Sequence, residues 1–212
     1  MSKIKAILFD MDGVLVDAKN WHYEALNRAL SLFGAEINRQ DHLKTYDGLP
    51  TRRKLEILSA EKEFPRALHP LICQLKQQYT ISITFSRCRP VQQQIQALSK
   101  FKSQGYRLAV CSNSVRESVR VMMEQSNLLQ YLEFFLSNQD VTLSKPDPEI
   151  YNVAIAKLKL DPTECLILED NKNGIEAALS SGAHLMKISS VNDVNYNNIS
   201  KRIGEIDAEV QA

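Results

Sequence analysis

Seven residues of this chain have types and spacings that suit joint chemistry: Asp10, Asp12, Ser112, Asn113, Lys145, Glu169 and Asp170. Asp10 and Asp12 stand two apart, Glu169 and Asp170 are adjacent, and Lys145 lies in the loop Leu143-Ser-Lys-Pro-Asp-Pro148. Gathered in one crevice, up to four carboxylates would repel one another, and some would hold their protons to higher pH unless a cation sat among them. Hard carboxylate oxygens with room for water suit Mg²⁺. The Ser112 hydroxyl, neighbouring backbone N–H groups and Lys145 are donors for a bound oxyanion. A metal, anion donors and a spare carboxylate together are the equipment of phosphoryl transfer.

For that chemistry the groups must converge, and the apolar runs predict how. Lys5-Ala-Ile-Leu-Phe9 is continuously apolar after its Lys and is followed by Asp10. The same texture recurs at Arg107–Cys111, Phe134–Ser137, Cys165–Leu168 and His184–Ile188. Short apolar runs bounded by turn residues read as strands buried on both faces, hence a parallel sheet. Between them helical patterns cover Val91–Gln104, Val115–Gln125, Pro148–Lys159 and Asn173–Ser181, the first followed by Gly105 as a C-terminal stop. The expected fold class is α/β, a doubly wound, Rossmann-like parallel sheet. Such a sheet collects ligands at the carboxyl ends of its strands. There Asp10, Ser112-Asn113 and Glu169-Asp170 stand.

Residues 18–88 break the rhythm. They offer helical patterns at Trp21–Phe33, Arg53–Ser59 and Leu68–Tyr79 and no strand, over a length far beyond a normal crossover. The expectation is an inserted α-helical cap at 18–88, with a core formed by 1–17 and 89–212. The insertion carries eleven Lys/Arg against seven Asp/Glu, the rest fifteen against eighteen, and three of the four His (22, 42, 69) are in the insertion. A basic insertion over an acidic core suits an anionic small ligand between them.

Over all 212 residues the formal charge is only +1, so there is no net drive toward nucleic acid or an anionic membrane. No apolar run approaches the ~20 residues that span a bilayer. Met1–Phe9 is too short for a signal peptide, and a cytoplasmic location is expected. Cys73, Cys88, Cys111 and Cys165 show no paired spacing and read as reduced thiols.

Four segments then resemble the motifs of the haloacid dehalogenase superfamily, in order. Phe9-Asp-Met-Asp-Gly-Val-Leu-Val-Asp17 looks like the first, D-x-D-G-x-x-x-D. Val110-Cys-Ser-Asn113 looks like the second, Ser144-Lys-Pro-Asp-Pro148 like the third, and Ile167-Leu-Glu-Asp-Asn171 with Asn173-Gly174 like the fourth. The insertion point matches members with a helical cap after motif one, and the pattern is most similar to β-phosphoglucomutase-like sugar-phosphate phosphatases. The resemblance implies that Asp10 is a nucleophile forming an aspartyl-phosphate and Asp12 the general acid and base. It implies phosphoryl binding by Ser112, Asn113 and Lys145, with Lys145 also pairing with Asp10. Mg²⁺ would be held by Asp10, the Asp12 backbone carbonyl, Asp170 and Glu169. Asp17, at the hinge, is expected to cap a helix or pin the linker.

In the insertion, His22 could reach the site, and Arg52 matches the position that meets the distal group of the substrate in β-phosphoglucomutase-like proteins. The run Thr51-Arg-Arg-Lys54 puts three cations at a helix start, against the dipole, which suggests an anion. Lys76 reads as a surface charge. The expected activity is a Mg²⁺-dependent phosphatase of a small phosphorylated metabolite, a sugar phosphate, in a monomer or weak dimer. Two rivals stand beside it. A β-phosphoglucomutase-type mutase is disfavoured because Ala18 replaces the Thr that those mutases tend to carry. A non-catalytic phosphate-sensing module is disfavoured because no catalytic group is missing.

Overall fold

The computed structural model describes residues 3–46 and 49–209. The chain divides into two compact units, one formed by 1–17 with 89–212 and the other by 18–88.

The first unit is built on a five-stranded parallel sheet in the order β3-β2-β1-β4-β5. The strands are β1 (Ala6–Phe9), β2 (Arg107–Cys111), β3 (Phe134–Leu136), β4 (Cys165–Glu169) and β5 (His184–Lys187). Every residue of β1 and β4 is buried, as an apolar run sealed by helices on both faces requires. β1 lies between β2 and β4, with Phe9 level with Val110 on one side and Leu168 on the other. That register brings the next residue, Asp10, level with Cys111 and Glu169. The strand order also changes direction at β1, and this is where an open α/β sheet leaves its crevice.

The helices of this unit are Gln92–Ser103, Arg116–Gln125, Glu149–Leu158, Lys172–Ser180 and Tyr196–Glu209. Four fall within a residue or two of the sequence expectation. Gly105, past the end of the first, has φ +89°, a conformation that favours glycine. The fifth, Tyr196–Glu209, was not anticipated, although its buried Ile199, Ile203 and Ile206 repeat at helical spacing. It is anchored by Tyr196, whose ring meets that of Phe101 at 4.9 Å.

In the second unit all regular structure among the described residues is helical: Lys19–Ser31, a short turn at Arg39–Asp41, a wide turn at His42–Tyr46, Thr51–Lys62, a turn at Arg66–Leu68, and His69–Arg87. Leu26, Leu30, Ile37, Tyr46, Leu55 and Ile72 are among its core residues. Glu24 ties the first and last helices together through Arg87 at 2.7 Å. The last helix runs eight residues past the expected end at Tyr79. The β-branched stretch Thr80-Ile-Ser-Ile-Thr84 has poor helix propensity. Here Thr80 and Thr84 turn their hydroxyls back onto the carbonyls of Lys76 and Thr80, at 2.8 and 2.9 Å, and burial outweighs propensity. Asp17 does not cap the first helix: the capping position is Ala18, which makes no side-chain bond, and Asp17 is exposed. Asp17 is one residue too early to cap, because the helix begins at Lys19. Among the described residues no helix is long and apolar enough to cross a membrane.

Candidate active site

At the carboxyl ends of β1, β2 and β4 a buried ion-pair cluster forms around Lys145. Its ammonium donates to Asp10 Oδ1 at 2.7 Å, to Glu169 Oε1 at 2.6 Å and to the Cys111 carbonyl at 2.8 Å. Three donors thus meet three acceptors, which is what a buried ammonium needs. The Tyr151 ring faces the same ammonium at 4.7 Å, and the Tyr151 hydroxyl donates to Glu169 Oε1 at 2.6 Å. Asp10, Lys145, Tyr151, Glu169 and Ser112 are all buried.

Lys145 is held there from its backbone. The Asn113 side chain accepts the Lys145 N–H at 3.1 Å and donates to the Lys145 carbonyl at 3.3 Å. Glu169 is tied at its other oxygen by the Asp170 N–H at 3.1 Å. Asn171 caps the helix Lys172–Ser180 by accepting the Gly174 N–H at 3.0 Å. Ser112 receives the Ser114 N–H on its hydroxyl at 3.0 Å, and the Ser114 hydroxyl donates to Asp12 Oδ2 at 2.8 Å.

Burial pushes the Asp10 carboxyl well above the usual carboxylate range, reinforced by Glu169 and Asp12 and opposed by Lys145. Burial alone would lower Lys145, but Asp10 and Glu169 outweigh it and hold the ammonium charged well above its ordinary range. Cys111 is pushed up to about 12, mainly by burial, so it stays a thiol. One cation among four carboxylates leaves the cluster short of positive charge. Asp10, Glu169 and Asp170 each offer an oxygen, and these lie within 4.8 Å of one another. The Asp12 carboxylate is not part of that group.

All the expected residues of this unit therefore converge. His22 and Arg52 belong to the other unit. The His22 Nδ1 lies 3.1 Å from Lys76 Nζ. An ammonium can only donate, so His22 is the acceptor of this contact at Nδ1. Lys76 is thus half-buried against a His rather than a solvated surface charge. Arg52 is exposed in the first turn of Thr51–Lys62, which contains no acidic residue of its own, and the neighbouring Arg53 pairs with Glu56 at 2.9 Å. Asp47 and Gly48, which precede this turn, lie outside the described residues.

Gly174 explains a further constraint. A Cβ placed there would stand 2.0 Å from the Glu169 carboxyl carbon. Gly→Ala in a helix ordinarily stabilises by about 0.5–1 kcal/mol. Here Glu169 is held by Lys145 and Tyr151 and has nowhere to go, and overpacking costs about 1–3 kcal/mol. Gly174→Ala is therefore expected to lower the melting temperature and to reduce turnover. An unchanged or raised melting temperature in a calorimetric scan would show that Glu169 does not crowd Gly174.

Residues 7–188 match the family model described as haloacid dehalogenase-like hydrolase, from β1 through β5. The chain belongs to the haloacid dehalogenase-like hydrolases. This hydrolase is 28% identical over 180 residues to a phosphorylated carbohydrates phosphatase of Thermotoga maritima, covering 84% of this chain and 82% of the relative. Among solved structures, β-phosphoglucomutase from Clostridium difficile aligns with a TM-score of 0.80 at 20% identity, over 95% of this chain and 98% of that one. CbbY from Rhodobacter sphaeroides, a D10N mutant in complex with xylulose-(1,5)bisphosphate, aligns with a TM-score of 0.79 at 22% identity, over 87% and 85%. At that identity these two speak for the fold.

Tyr151 and Ser114 lie outside the residues that the sequence marks as site candidates. Tyr151 sits among Ile150, Ala154, Ile155 and Leu158, so its spacing shows only a core position. Ser114 had a weak signal: a second hydroxyl two residues after Ser112, at the end of a strand.

Proposed function

We propose that this hydrolase is a Mg²⁺-dependent phosphatase of a small phosphorylated carbohydrate and that it works through an aspartyl-phosphate on Asp10. The observation that carries the proposal is the pairing of two carboxylates in different surroundings. Asp10 is ion-paired to Lys145, and Asp12, two residues on, accepts from a hydroxyl. Two acids with different partners suit two different tasks.

In the first half-reaction the Asp10 carboxylate attacks phosphorus and the P–O bond to the sugar breaks. Asp12 gives its proton to the departing alkoxide. In the second half-reaction Asp12 takes a proton from water as that water attacks the aspartyl-phosphate, releasing inorganic phosphate and restoring Asp10. Ser112 and Lys145 bind phosphoryl oxygens. The Asn113 side chain is occupied by the Lys145 backbone, so any contact from Asn113 to phosphate comes from its main-chain N–H.

The donor set fits a hard divalent cation: Asp10, Glu169 and Asp170 supply only carboxylate oxygens, and Lys145 alone does not balance them. Those residues, with the Asp12 main-chain carbonyl, would hold Mg²⁺, which would neutralise and orient the phosphoryl oxygens. His22 and Arg52 are proposed to contact the sugar or its distal group from the helical unit. The substrate class is supported by the name of the Thermotoga relative. Ala18 supports hydrolysis over the mutase alternative, since it has no hydroxyl.

The test is phosphate release from a panel of phosphorylated sugars. Activity should require Mg²⁺, vanish in EDTA and return when Mg²⁺ is restored in excess. Asp170→Ala should raise the Mg²⁺ concentration needed for half-maximal rate by roughly tenfold or more, through loss of a direct ligand. Full activity in chelator would refute the metal assignment. No turnover on any phosphorylated sugar would refute the substrate class.

A further inference from the structure

The Asp12 carboxyl is not left to find its own orientation. Its Oδ2 accepts the Ser114 hydroxyl proton at 2.8 Å, across 102 residues of sequence. Ser114 is itself braced on both sides by its main chain. Its N–H donates to Ser112 Oγ at 3.0 Å, and its carbonyl accepts the Asn138 N–H at 3.1 Å. On the other side Asp12 stands in a tight turn, closed by Gly13 N–H to the Val16 carbonyl at 2.7 Å and Val16 N–H to the Met11 carbonyl at 2.9 Å. Gly13 permits that turn with φ +96°. Both ends of the Ser114–Asp12 bond are therefore anchored by backbone, and the bond restrains how the carboxyl is rotated.

A hydroxyl that donates to one carboxylate oxygen restrains the rotation of the whole carboxyl. We propose that Ser114 is a positioning residue for the general acid: it holds Asp12 by Oδ2, so that the carboxyl is turned for proton delivery. This rests on the reading of Asp12 as the acid given above. Because Ser112 accepts the Ser114 N–H, the hydroxyl proposed to bind phosphate and the hydroxyl that orients the acid are linked at one strand end. A phosphoryl group seated on Ser112 is thus registered against the proton donor, and misplacement of such a donor is costly in rate.

The test uses leaving groups, because only a poor one needs the proton. With the Mg²⁺-loaded full-length protein in excess over substrate, P–O cleavage is followed in a single turnover for a sugar phosphate and for p-nitrophenyl phosphate. Ser114→Ala should slow cleavage of the sugar phosphate by roughly 10- to 100-fold with little change in KM, as expected for a group acting in the transition state. It should slow the aryl phosphate by less than about threefold, since nitrophenolate leaves unprotonated. Ser114→Thr, which keeps the hydroxyl, should restore the sugar phosphate rate to within about threefold of wild type. Ser114→Cys, a weaker donor of similar size, should fall between, and it decides the matter if the Ala variant does not fold. Equal slowing of both substrates, or a raised KM with unchanged rate at saturation, would overturn the proposal by assigning Ser114 to structure or to substrate binding.

Asp12→Asn separates this proposal from the reading beneath it. If Asp12→Asn loses the sugar phosphate selectively and Ser114→Ala does not, Asp12 remains the acid and Ser114 does not position it. If Asp12→Asn shows no selectivity, both fall together. In the double variant, Ser114→Ala should add nothing to Asp12→Asn, because the two act as one unit.

Discussion

Asp10→Asn is expected to abolish turnover while leaving the protein folded. The amide keeps the shape of the carboxylate and can still accept from Lys145, but it is a far weaker nucleophile. Removing a positioned nucleophile costs several powers of ten, so residual activity should be below about 1%. A higher residual rate would sink the covalent mechanism. The same variant carries a second, independent expectation for stability. Burial and Glu169 raise the Asp10 pKa in the fold, with Lys145 only partly offsetting them. For a carboxyl raised in this way the folded state binds the proton more tightly than the unfolded one. Its favourable contribution is full below the unfolded value and is lost as pH rises through the folded value. Without metal, ionising Asp10 therefore works against the fold, and Asn removes that charge. The metal-free variant should melt no lower than wild type, and Mg²⁺ should raise its melting temperature less than it raises that of wild type. A clearly lower melting temperature in EDTA would mean that the Asp10–Lys145 attraction dominates the repulsion and burial.

Lys145→Met should have the largest effect on stability. It removes the one cation between Asp10 and Glu169, leaving two buried carboxylates facing each other. Removing one partner of a buried pair costs about 3–5 kcal/mol. At roughly 2–4 °C per kcal/mol for a chain of this size, the melting temperature should fall by about 6–20 °C. Turnover should fall by at least roughly 10²–10³, the usual loss for a removed donor to a transferring group. The pH dependence has a definite sign. In wild type the Lys145 pKa is raised, so its stabilising effect persists through neutral pH and is lost only in strong alkali. In the variant, Asp10 loses the group that opposed its upward shift, and it protonates at higher pH. The gap in melting temperature between variant and wild type should therefore narrow as pH falls. A gap that stays constant from neutral to acid pH would show that lost packing, rather than unpaired charge, carries the cost. Mg²⁺ should narrow the gap as well, by replacing part of the missing positive charge.

The elements of the sheet unit were legible because their causes are local. A strand covered on both faces must be apolar without interruption, and Ala6–Phe9, Leu108–Cys111 and Cys165–Leu168 declare this in consecutive residues. The four motifs were legible for a related reason: chemistry at strand ends fixes residue types at short spacings, as in Asp10-x-Asp12 and Glu169-Asp170. Where local signals conflict with packing, they fail. Thr80–Thr84 continues a helix against its propensity, because its hydroxyls find carbonyl partners and Ile83 is buried. Of the two roles expected for Asp17, capping a helix or pinning the linker, the first fails because the helix starts one residue beyond its reach. What no local signal contains is which distant groups touch. Lys145 meets Asp10 across 135 residues because β1 lies between β2 and β4, an order that strand composition does not encode. The Tyr151 hydroxyl meets Glu169, Gly174 makes room for that carboxylate, and Ser114 holds Asp12, all through the same arrangement. The sequence by itself determined the kinds of groups at the strand ends and the strands that carry them. Only the tertiary structure decided their partners, because hydrogen bonds and ion pairs act over a few ångströms of space, and strand order converts distances along the chain into those contacts.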